Sequence, residues 1–137
     1  LVEKDWMDNS LFVLGVPTWY DGVLQSDWED YFEDFKQINF TGKTVAIFGL
    51  GDQIGYDEYF VDGIGILAEV VLENGGKIIG NWPRDNYSFA ASKALMNKDY
   101  FYGLPIDQDN EEELTVGRIE KWVKQLKNEI AYDLVYV

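Results

Sequence analysis

Histidine and cysteine are both absent from the 137 residues of this chain. Without cysteine there is no disulfide, no thiol nucleophile and no thiolate metal site. Without histidine the chain lacks the usual general base near neutral pH and the commonest metal ligand. Acid–base or zinc chemistry would have to rest on carboxylates, lysine or tyrosine, and a hydrolase is therefore an unfavoured function.

Positive charge is also scarce. Lys and Arg together number 11, against 25 Asp and Glu, which gives a net charge of −14. Such a field repels nucleic acid and anionic membranes and attracts basic partners, although an acidic surface can also serve solubility alone. No apolar run reaches the roughly 20 residues of a membrane span, and the start of the chain lacks the basic-then-apolar order of a signal peptide. We therefore expect a cytoplasmic protein with no nucleic-acid partner and no membrane insertion.

Apolar runs alternate with amphipathic stretches along the chain. The run "LFVLG" is uninterrupted, as is typical of a strand covered on both faces. The amphipathic stretches place apolar residues three and four apart, which predicts helices. The predicted strands are Leu11–Gly15, Lys43–Gly51, Lys77–Trp82, Tyr100–Leu104 and Ala131–Val137, and the predicted helices are Ser26–Ile38, Tyr59–Asn74 and Thr115–Glu129.

Each predicted helix has its own signature. Ser26 and Glu29 form a capping-box pattern at the start of the first helix. The second carries a buried stripe and is ended by a Gly-Gly pair that suits a C-cap. The third is expected to turn four apolar residues inward. The predicted stripe of the second helix is Phe60, Ile64, Leu67, Ala68 and Val71, and that of the third is Ile119, Trp122, Val123 and Leu126.

This alternation predicts one α/β domain over residues 1–137, with a doubly wound parallel sheet between two layers of helices. Ligands of such sheets bind at the carboxyl ends of the strands. Two loops leave those ends, Pro17–Gly22 ("PTWYDG") and Gly49–Phe60 ("GLGDQIGYDEYF"). Both carry aromatic residues, which could hold a flat ring between them or could close over the end of the core.

At these loops the sequence resembles the long-chain flavodoxins. The resemblance is carried by "LGVPTWYDGVLQSDWEDYF", "FTGKTVAIFGLGDQIGYDEYFVDGIGIL", "GNWPRDNYSFAASKAL" and "GLPIDQDNEEELTVGRIEKWVKQLK", and it extends from about Leu11 to Lys127. It implies a flavodoxin-like fold and a low-potential electron carrier, not an enzyme, that uses non-covalently bound FMN. The implied partners are basic redox proteins, such as a ferredoxin/flavodoxin-NADP reductase or a photosystem, and the implied state is a monomer.

The resemblance also implies which residues contact the flavin ring. Trp19 would cover the inner face of the isoalloxazine ring, and Tyr56 would stack on its outer face. Backbone groups of Asp52, Tyr59 and Val61 would hydrogen-bond the pyrimidine edge. The unusual side chains at the last two positions matter little, because those contacts are made by the main chain.

Other positions match the cofactor site less directly. The peptides of Tyr20, Asp21 and Gly22 match the segment that hydrogen-bonds the flavin N5 on reduction. Asp109 matches a position that can reach the ribityl chain. The remaining implied cofactor-binding residues are Thr18, Gly51 and Gly55. For Asp52 and Asp109, a solvated turn carboxylate is the alternative interpretation.

The chain departs from the family at its front. Flavodoxins begin with a strand, a Ser/Thr-rich phosphate loop and a helix, and none of these precedes "LFVLG". Only Thr18 and Ser92 are expected to offer nearby hydroxyls, which do not replace a nest of backbone N–H groups. A truncated record, a rearranged chain and a natural variant without cofactor all remain open, and so does a flavin-free acidic module that docks to a basic partner.

The tail suggests one form of rearrangement. "AYDLVYV" resembles a flavodoxin first strand in length and apolar character. We expect Tyr132–Val137 to fill the place of the absent first strand, parallel to Leu11–Leu14, as in a circularly permuted chain. The alternative is an unrelated tail.

Overall fold

The computed structural model describes residues 3–19 and 22–136, and the side chains as far as Ala131. Four helices lie in these ranges: α1 (Glu3–Asp8), α2 (Ser26–Phe35), α3 (Asp62–Glu73) and α4 (Gln108–Tyr136). The strands are β1 (Leu11–Trp19), β2 (Val23–Leu24), β3 (Thr44–Leu50), β4 (Lys77–Ile79), β5 (Trp82–Pro83), β6 (Tyr100–Phe101) and β7 (Leu104–Ile106). None of the four helices has the length and apolar character that a membrane span requires.

The main sheet is built around β3 and is mostly parallel. β1 lies along one edge of β3, in register from Leu11 opposite Thr44 to Pro17 opposite Leu50. On the other edge, β4 pairs with the first half of β3 and β7 pairs with the second half, both parallel. Between them, residues 80–103 leave the sheet and form a small antiparallel hairpin of β5 and β6. The short β2 folds back antiparallel onto the end of β1. This is the predicted doubly wound α/β class.

Helices cover both faces of the sheet. Successive side chains of β3 point to opposite faces, and each face presents apolar side chains that a helix can cover. Val45 and Ile47 join the core beneath α3, whereas Ala46 packs on the other face against Trp122 and Leu126 of α4. The five residues predicted for the apolar stripe of the second helix are all fully buried, but Phe60 precedes the helix, which begins at Asp62 and not at the predicted Tyr59. This three-layer arrangement leaves the ends of β1 and β3 together at one edge of the molecule.

The prediction that β1 is covered on both faces is wrong for the described residues. Phe12, Leu14 and Val16 are buried, but Leu11 and Val13 on the opposite face are 42% and 53% exposed. α4 packs against β7 and the β3–β4 side of the sheet, so it does not extend over β1.

The predicted capping box is also wrong. The N-cap of α2 is Gln25, whose side-chain oxygen accepts hydrogen bonds from the N–H groups of Asp27 and Trp28. Ser26 is therefore already the first helical residue, one position too late to cap. The helix ends at Phe35, three residues before the predicted end.

The predicted C-terminal strand is wrong as well. α4 continues through Tyr136, so the segment expected to pair with Leu11–Leu14 is helical, and Val137 lies outside the described residues. The pairing partners of β1 in the described chain are β2 and β3.

The inward-facing residues predicted for the third helix, which is part of α4, are confirmed only in part. Trp122 and Leu126 are buried, but Ile119 and Val123 are about two-fifths exposed.

Candidate ligand-binding cleft

A cleft of about 270 Å³ opens where β1 and β3 end. Its walls come from three separate segments: the end of β1, the loop after β3 and the start of α4. Eight of the predicted cofactor-binding residues line it: Thr18, Trp19, Gly51, Asp52, Tyr56, Tyr59, Val61 and Asp109. The structure therefore brings together residues that are far apart in the sequence.

Two aromatic side chains stand on different loops of this cleft. Trp19 is the last residue of β1 and Tyr56 lies in the turn after β3, and they are 43% and 39% exposed. Rings that closed over the end of the core would be buried, so these exposures favour the alternative in which both rings face a ligand. A cleft with an aromatic ring on each of two loops suits a flat, conjugated group.

The turn that carries Tyr56 is built on Asp52. One carboxylate oxygen of Asp52 accepts hydrogen bonds from the N–H groups of Ile54, at 3.0 Å, and Gly55, at 2.7 Å. The carbonyl of Asp52 accepts from the N–H of Tyr56 at 3.1 Å. The bond from Gly55 is the main reason why the pKa of Asp52 is lowered from its ordinary value. Asp52 is thus a structural carboxylate and not a freely solvated one.

Glycine is required at two points of this loop. A Cβ on Gly55, which borders the turn without lining the cleft, would lie 2.5 Å from the Asp52 carboxylate. A Cβ on Gly51 would lie 2.7 Å from Cγ1 of Val61. Val61 itself has the left-handed φ of 47°, which delays the start of α3 to Asp62. Gly51 and Val61, at the two ends of the loop, therefore lie close together, and both residues line the cleft.

The end of β1 is joined to the start of α3. The Thr18 hydroxyl oxygen accepts a hydrogen bond from the N–H of Gly63 at 2.9 Å. Next to Gly63, the buried Asp62 carboxylate accepts from the N–H of Lys93 at 2.8 Å, and burial raises the pKa of this carboxyl. These two hydrogen bonds attach the start of α3 to Thr18, which lines the cleft, and to the segment that contains Lys93.

The remaining predicted residues are placed as follows. Gly22 does not line the cleft but lies beside it, with φ of 81°; a Cβ there would be 2.7 Å from Asp62 Oδ2 and 3.1 Å from the ring of Tyr59. Tyr20 and Asp21 lie outside the described residues. Ser92 does not line the cleft either, because its hydroxyl donates to the carbonyl of Phe60 and accepts from the N–H of Ala94.

Sequence reasoning missed a polar network behind the cleft. Asp107, which directly follows β7, is fully buried and accepts hydrogen bonds from the backbone and side-chain N–H groups of Gln53. It also accepts from Asn110, which in turn bonds Asp52. The available signal was a carboxylate placed directly after an apolar strand, where burial demands hydrogen-bond partners. Pro17, Leu50 and Gln108 line the cleft as well and were not predicted.

The charged residues of the cleft suit the ring of the expected cofactor but not its phosphate group. Its lining, as far as the chain is described, carries the carboxylates of Asp52 and Asp109 and no lysine or arginine. A neutral aromatic ring fits these residues, with its edge toward loop backbone. A phosphate group finds no cationic partner among them. Among the side chains that the structure describes, in residues 3–19 and 22–131, there is also no group of three or more that could hold a metal ion.

Comparison with known proteins gives one consistent family. The family described as Flavodoxin matches residues 2–122. Flavodoxin 1 of Escherichia coli K12 is 48% identical over 131 residues, which are 96% of this chain and 74% of that protein. The flavodoxin of Haemophilus influenzae is 48% identical over 118 residues, 86% of this chain and 68% of that protein. Among solved structures, Fusobacterium nucleatum flavodoxin bound to flavin mononucleotide superposes with a TM-score of 0.86 at 32% identity, covering 92% of this chain and 75% of that one.

Proposed function

The chain belongs to the flavodoxin family, and from that premise we propose that its cleft holds the isoalloxazine ring of FMN between Trp19 and Tyr56. The protein is an electron carrier and not an enzyme, and FMN is its cofactor. When bound, FMN takes up and releases one or two electrons, and the protein supplies position and field. A flavin-free binding module is not favoured, because it would need no pair of half-exposed rings in one cleft.

Different residues of the cleft would contact different parts of the flavin ring. Trp19 would cover the inner face of the ring and Tyr56 the outer face. Backbone groups of Asp52, Tyr59 and Val61 would bind the edge of the ring. The carboxylates of Asp52 and Asp109 are negative charges at the cleft, so they oppose any gain of negative charge inside it and lower the reduction potential.

The proposal also covers the subgroup, the organisation and the mode of cofactor binding. The chain would be a member of the long-chain group, as the sequence resemblance implies. The chain would form one domain and act as a monomer in the cytoplasm. Since the cleft offers the phosphate no cation from the described residues, this chain would hold FMN mainly through the ring.

We further infer that the redox partners carry a basic docking surface. The net charge of −14 supports this, and so do the exposed carboxylates of Asp57, Glu58 and Asp109 around the cleft. Opposite charges would speed the encounter and orient the partner toward the exposed edge of the ring. A small, transient interface is the usual form of such electron-transfer contacts.

The experiment that tests the function is a titration of the purified chain with FMN. Tryptophan fluorescence should fall as the ring stacks on Trp19, and Trp19→Ala and Tyr56→Ala should each weaken binding by about tenfold or more, since one aromatic stacking contact is worth about 1 kcal/mol beyond its buried area. Tyr100→Ala is the matched control, because Tyr100 lies on the β5–β6 hairpin and is 43% exposed. Equal affinities in the Tyr56 and Tyr100 variants, or no binding by the wild-type chain, would overturn the proposal.

A further inference from the structure

The side-chain amide of Asn110 lies between two carboxylates. Its nitrogen is 2.8 Å from Asp52 Oδ1, 2.9 Å from Asp107 Oδ2 and 3.1 Å from Asp107 Oδ1. Because all of these neighbours are carboxylate oxygens, which only accept, the amide must present its NH₂ group to them. The two N–H groups of one amide can therefore serve both carboxylates.

One end of this bridge is the turn that carries Tyr56. The same Asp52 oxygen that accepts from Asn110 also accepts from the N–H groups of Ile54 and Gly55. Tyr56 then donates from its own N–H to the Asp52 carbonyl. The position of the Asp52 carboxylate therefore determines the shape of the turn.

The other end of the bridge is rigid. Asp107 is fully buried at the end of β7 and accepts from the backbone N–H of Gln53 at 3.0 Å and from its side-chain amide at 2.9 Å. The Gln53 side-chain oxygen accepts a hydrogen bond from the N–H of Ser88 at 2.7 Å, so the segment between β5 and β6 is joined to the same network. A buried group with this many partners moves little, so it can act as an anchor.

We propose that Asn110 is a positioning residue for Tyr56: its amide joins the Asp52 carboxylate to the Asp107 anchor and so holds the Asp52–Tyr56 turn in the shape that presents the ring to the cleft. Asn110 is exposed and does not line the cleft, so it acts only through Asp52. Its effect on FMN rests on the proposed function, whereas its effect on the turn does not.

Removing the amide does more than delete a contact. Without a donor between them, the carboxylates of Asp52 and Asp107 face each other and repel. The hydrogen bond from Asn110 is one of the causes that lower the pKa of Asp52. A third carboxylate at position 110 could not donate and would add to the repulsion, so Asn110→Asp should be worse than Asn110→Ala.

The first part of the test uses the chain without flavin. Amide hydrogen exchange at Gly55 should be about tenfold faster in Asn110→Ala than in the wild type, and faster again in Asn110→Asp. A tenfold change corresponds to the loss of about 1.4 kcal/mol, which is typical of a hydrogen bond to a charged group. The pKa of the Asp52 carboxyl, followed by NMR, should rise in Asn110→Ala. The matched control is Asn128→Ala, the same change at an exposed position of α4 beyond the kink at Glu111. Unchanged Gly55 exchange and unchanged Asp52 titration in Asn110→Ala would overturn the proposal.

The second part adds FMN. Affinity should fall about tenfold in Asn110→Ala and further in Asn110→Asp, and added salt should narrow the gap between these two variants because it screens the repulsion. Asn128→Ala should bind as the wild type does. Lost affinity with normal Gly55 exchange would show that Asn110 does not act through the turn and would overturn the proposal. If the wild-type chain binds no FMN, the proposed function fails, while the flavin-free measurements still decide the role of Asn110.

Discussion

The hydroxyl oxygen of Thr18 accepts a hydrogen bond from the backbone N–H of Gly63 at 2.9 Å. This bond joins the end of β1 to the first turn of α3, where N–H groups have no partner within the helix. It fixes the strand end that carries Trp19 relative to the loop that ends at Val61. This hydrogen bond therefore holds together the end of β1 and the loop after β3, which are two of the three segments that line the cleft.

Replacing Thr18 by valine tests this bond. Valine keeps the branched shape but cannot accept, so the Gly63 N–H would lose its partner at a partly buried position. We expect the free energy of unfolding to fall by about 1–2 kcal/mol, measured by urea denaturation. Thr41→Val, at an exposed turn position, is the control and should have a clearly smaller effect. Equal losses in the two variants would contradict the structural role of the bond.

Two glycines in helices should respond to alanine in opposite directions. A Cβ on Gly65 in α3 would lie 2.1 Å from the carbonyl oxygen of Lys93, whereas nothing lies within 4 Å of a Cβ on Gly117 in α4. Gly65→Ala should therefore destabilise the protein by about 1–3 kcal/mol through backbone displacement. Gly117→Ala should stabilise it by about 0.5–1 kcal/mol, because alanine loses less backbone entropy in a helix. Thermal unfolding measures both, and a stabilising Gly65→Ala would refute the close approach of α3 to the Lys93–Ala94 segment.

The parts of the fold that the sequence predicted best are those that are most apolar. β3 and α3 are surrounded by the core, so their continuous apolar runs carry enough information to identify and place them. The cleft was predictable for a related reason: the loops that form it follow directly from two such strands.

The parts that were mispredicted depend on neighbours that periodicity does not reveal. Serine is a common N-cap residue, but the helix begins one position earlier than the capping pattern of Ser26 requires. The side chain of Gln25 caps the free N–H groups of the first turn instead. "AYDLVYV" has an apolar character that suits a strand, yet its residues up to Tyr136 continue α4, because a short apolar run fits a helix equally well. The network of Gln53, Asp107 and Asn110 joins two segments that are far apart in the sequence, and no local pattern indicates which polar residues will meet.

Riboflavin and FMN should bind this chain with similar affinity. The two flavins share the ring that would lie between Trp19 and Tyr56, and they differ in a phosphate for which the described cleft offers no cation. We expect dissociation constants within about threefold of each other, since a single charge-assisted hydrogen bond would already separate them by about tenfold. Parallel fluorescence titrations give the comparison. A strong preference for FMN would show that the phosphate has a site outside the described lining.

The buried carboxyl of Asp62 should make stability depend on pH. Burial is the main reason why its pKa is raised above the ordinary value of 3.8. Between that value and the folded pKa, the folded protein binds more protons at this group than the unfolded chain does, so the contribution of Asp62 to stability falls as pH rises through this window.

Asp62→Asn isolates that contribution, because its side-chain oxygen can still accept from the N–H of Lys93. The stability of the variant relative to the wild type should rise as pH increases from 4 upward, as measured by urea unfolding at a series of pH values. Asp57→Asn, at an exposed position, controls for the loss of one negative charge. A constant difference between Asp62→Asn and the wild type across the series would contradict the raised pKa.

Docking by opposite charges makes electron transfer sensitive to salt and to the position of a charge change. Exposed charges are screened over about 8–10 Å at physiological ionic strength, so electron transfer to a basic reductase should slow steadily as salt is added.

Glu58→Lys, beside the Tyr56 turn, should reduce both the rate of electron transfer at low salt and the dependence of that rate on salt. Glu120→Lys makes the same charge change farther along α4, beyond the kink at Glu111 and outside the cleft lining, and it should have a much smaller effect. Stopped-flow kinetics at several salt concentrations measure both variants. Equal effects of the two substitutions would mean that total charge, and not a docking face around the cleft, controls the encounter; a rate indifferent to salt would remove electrostatic docking altogether.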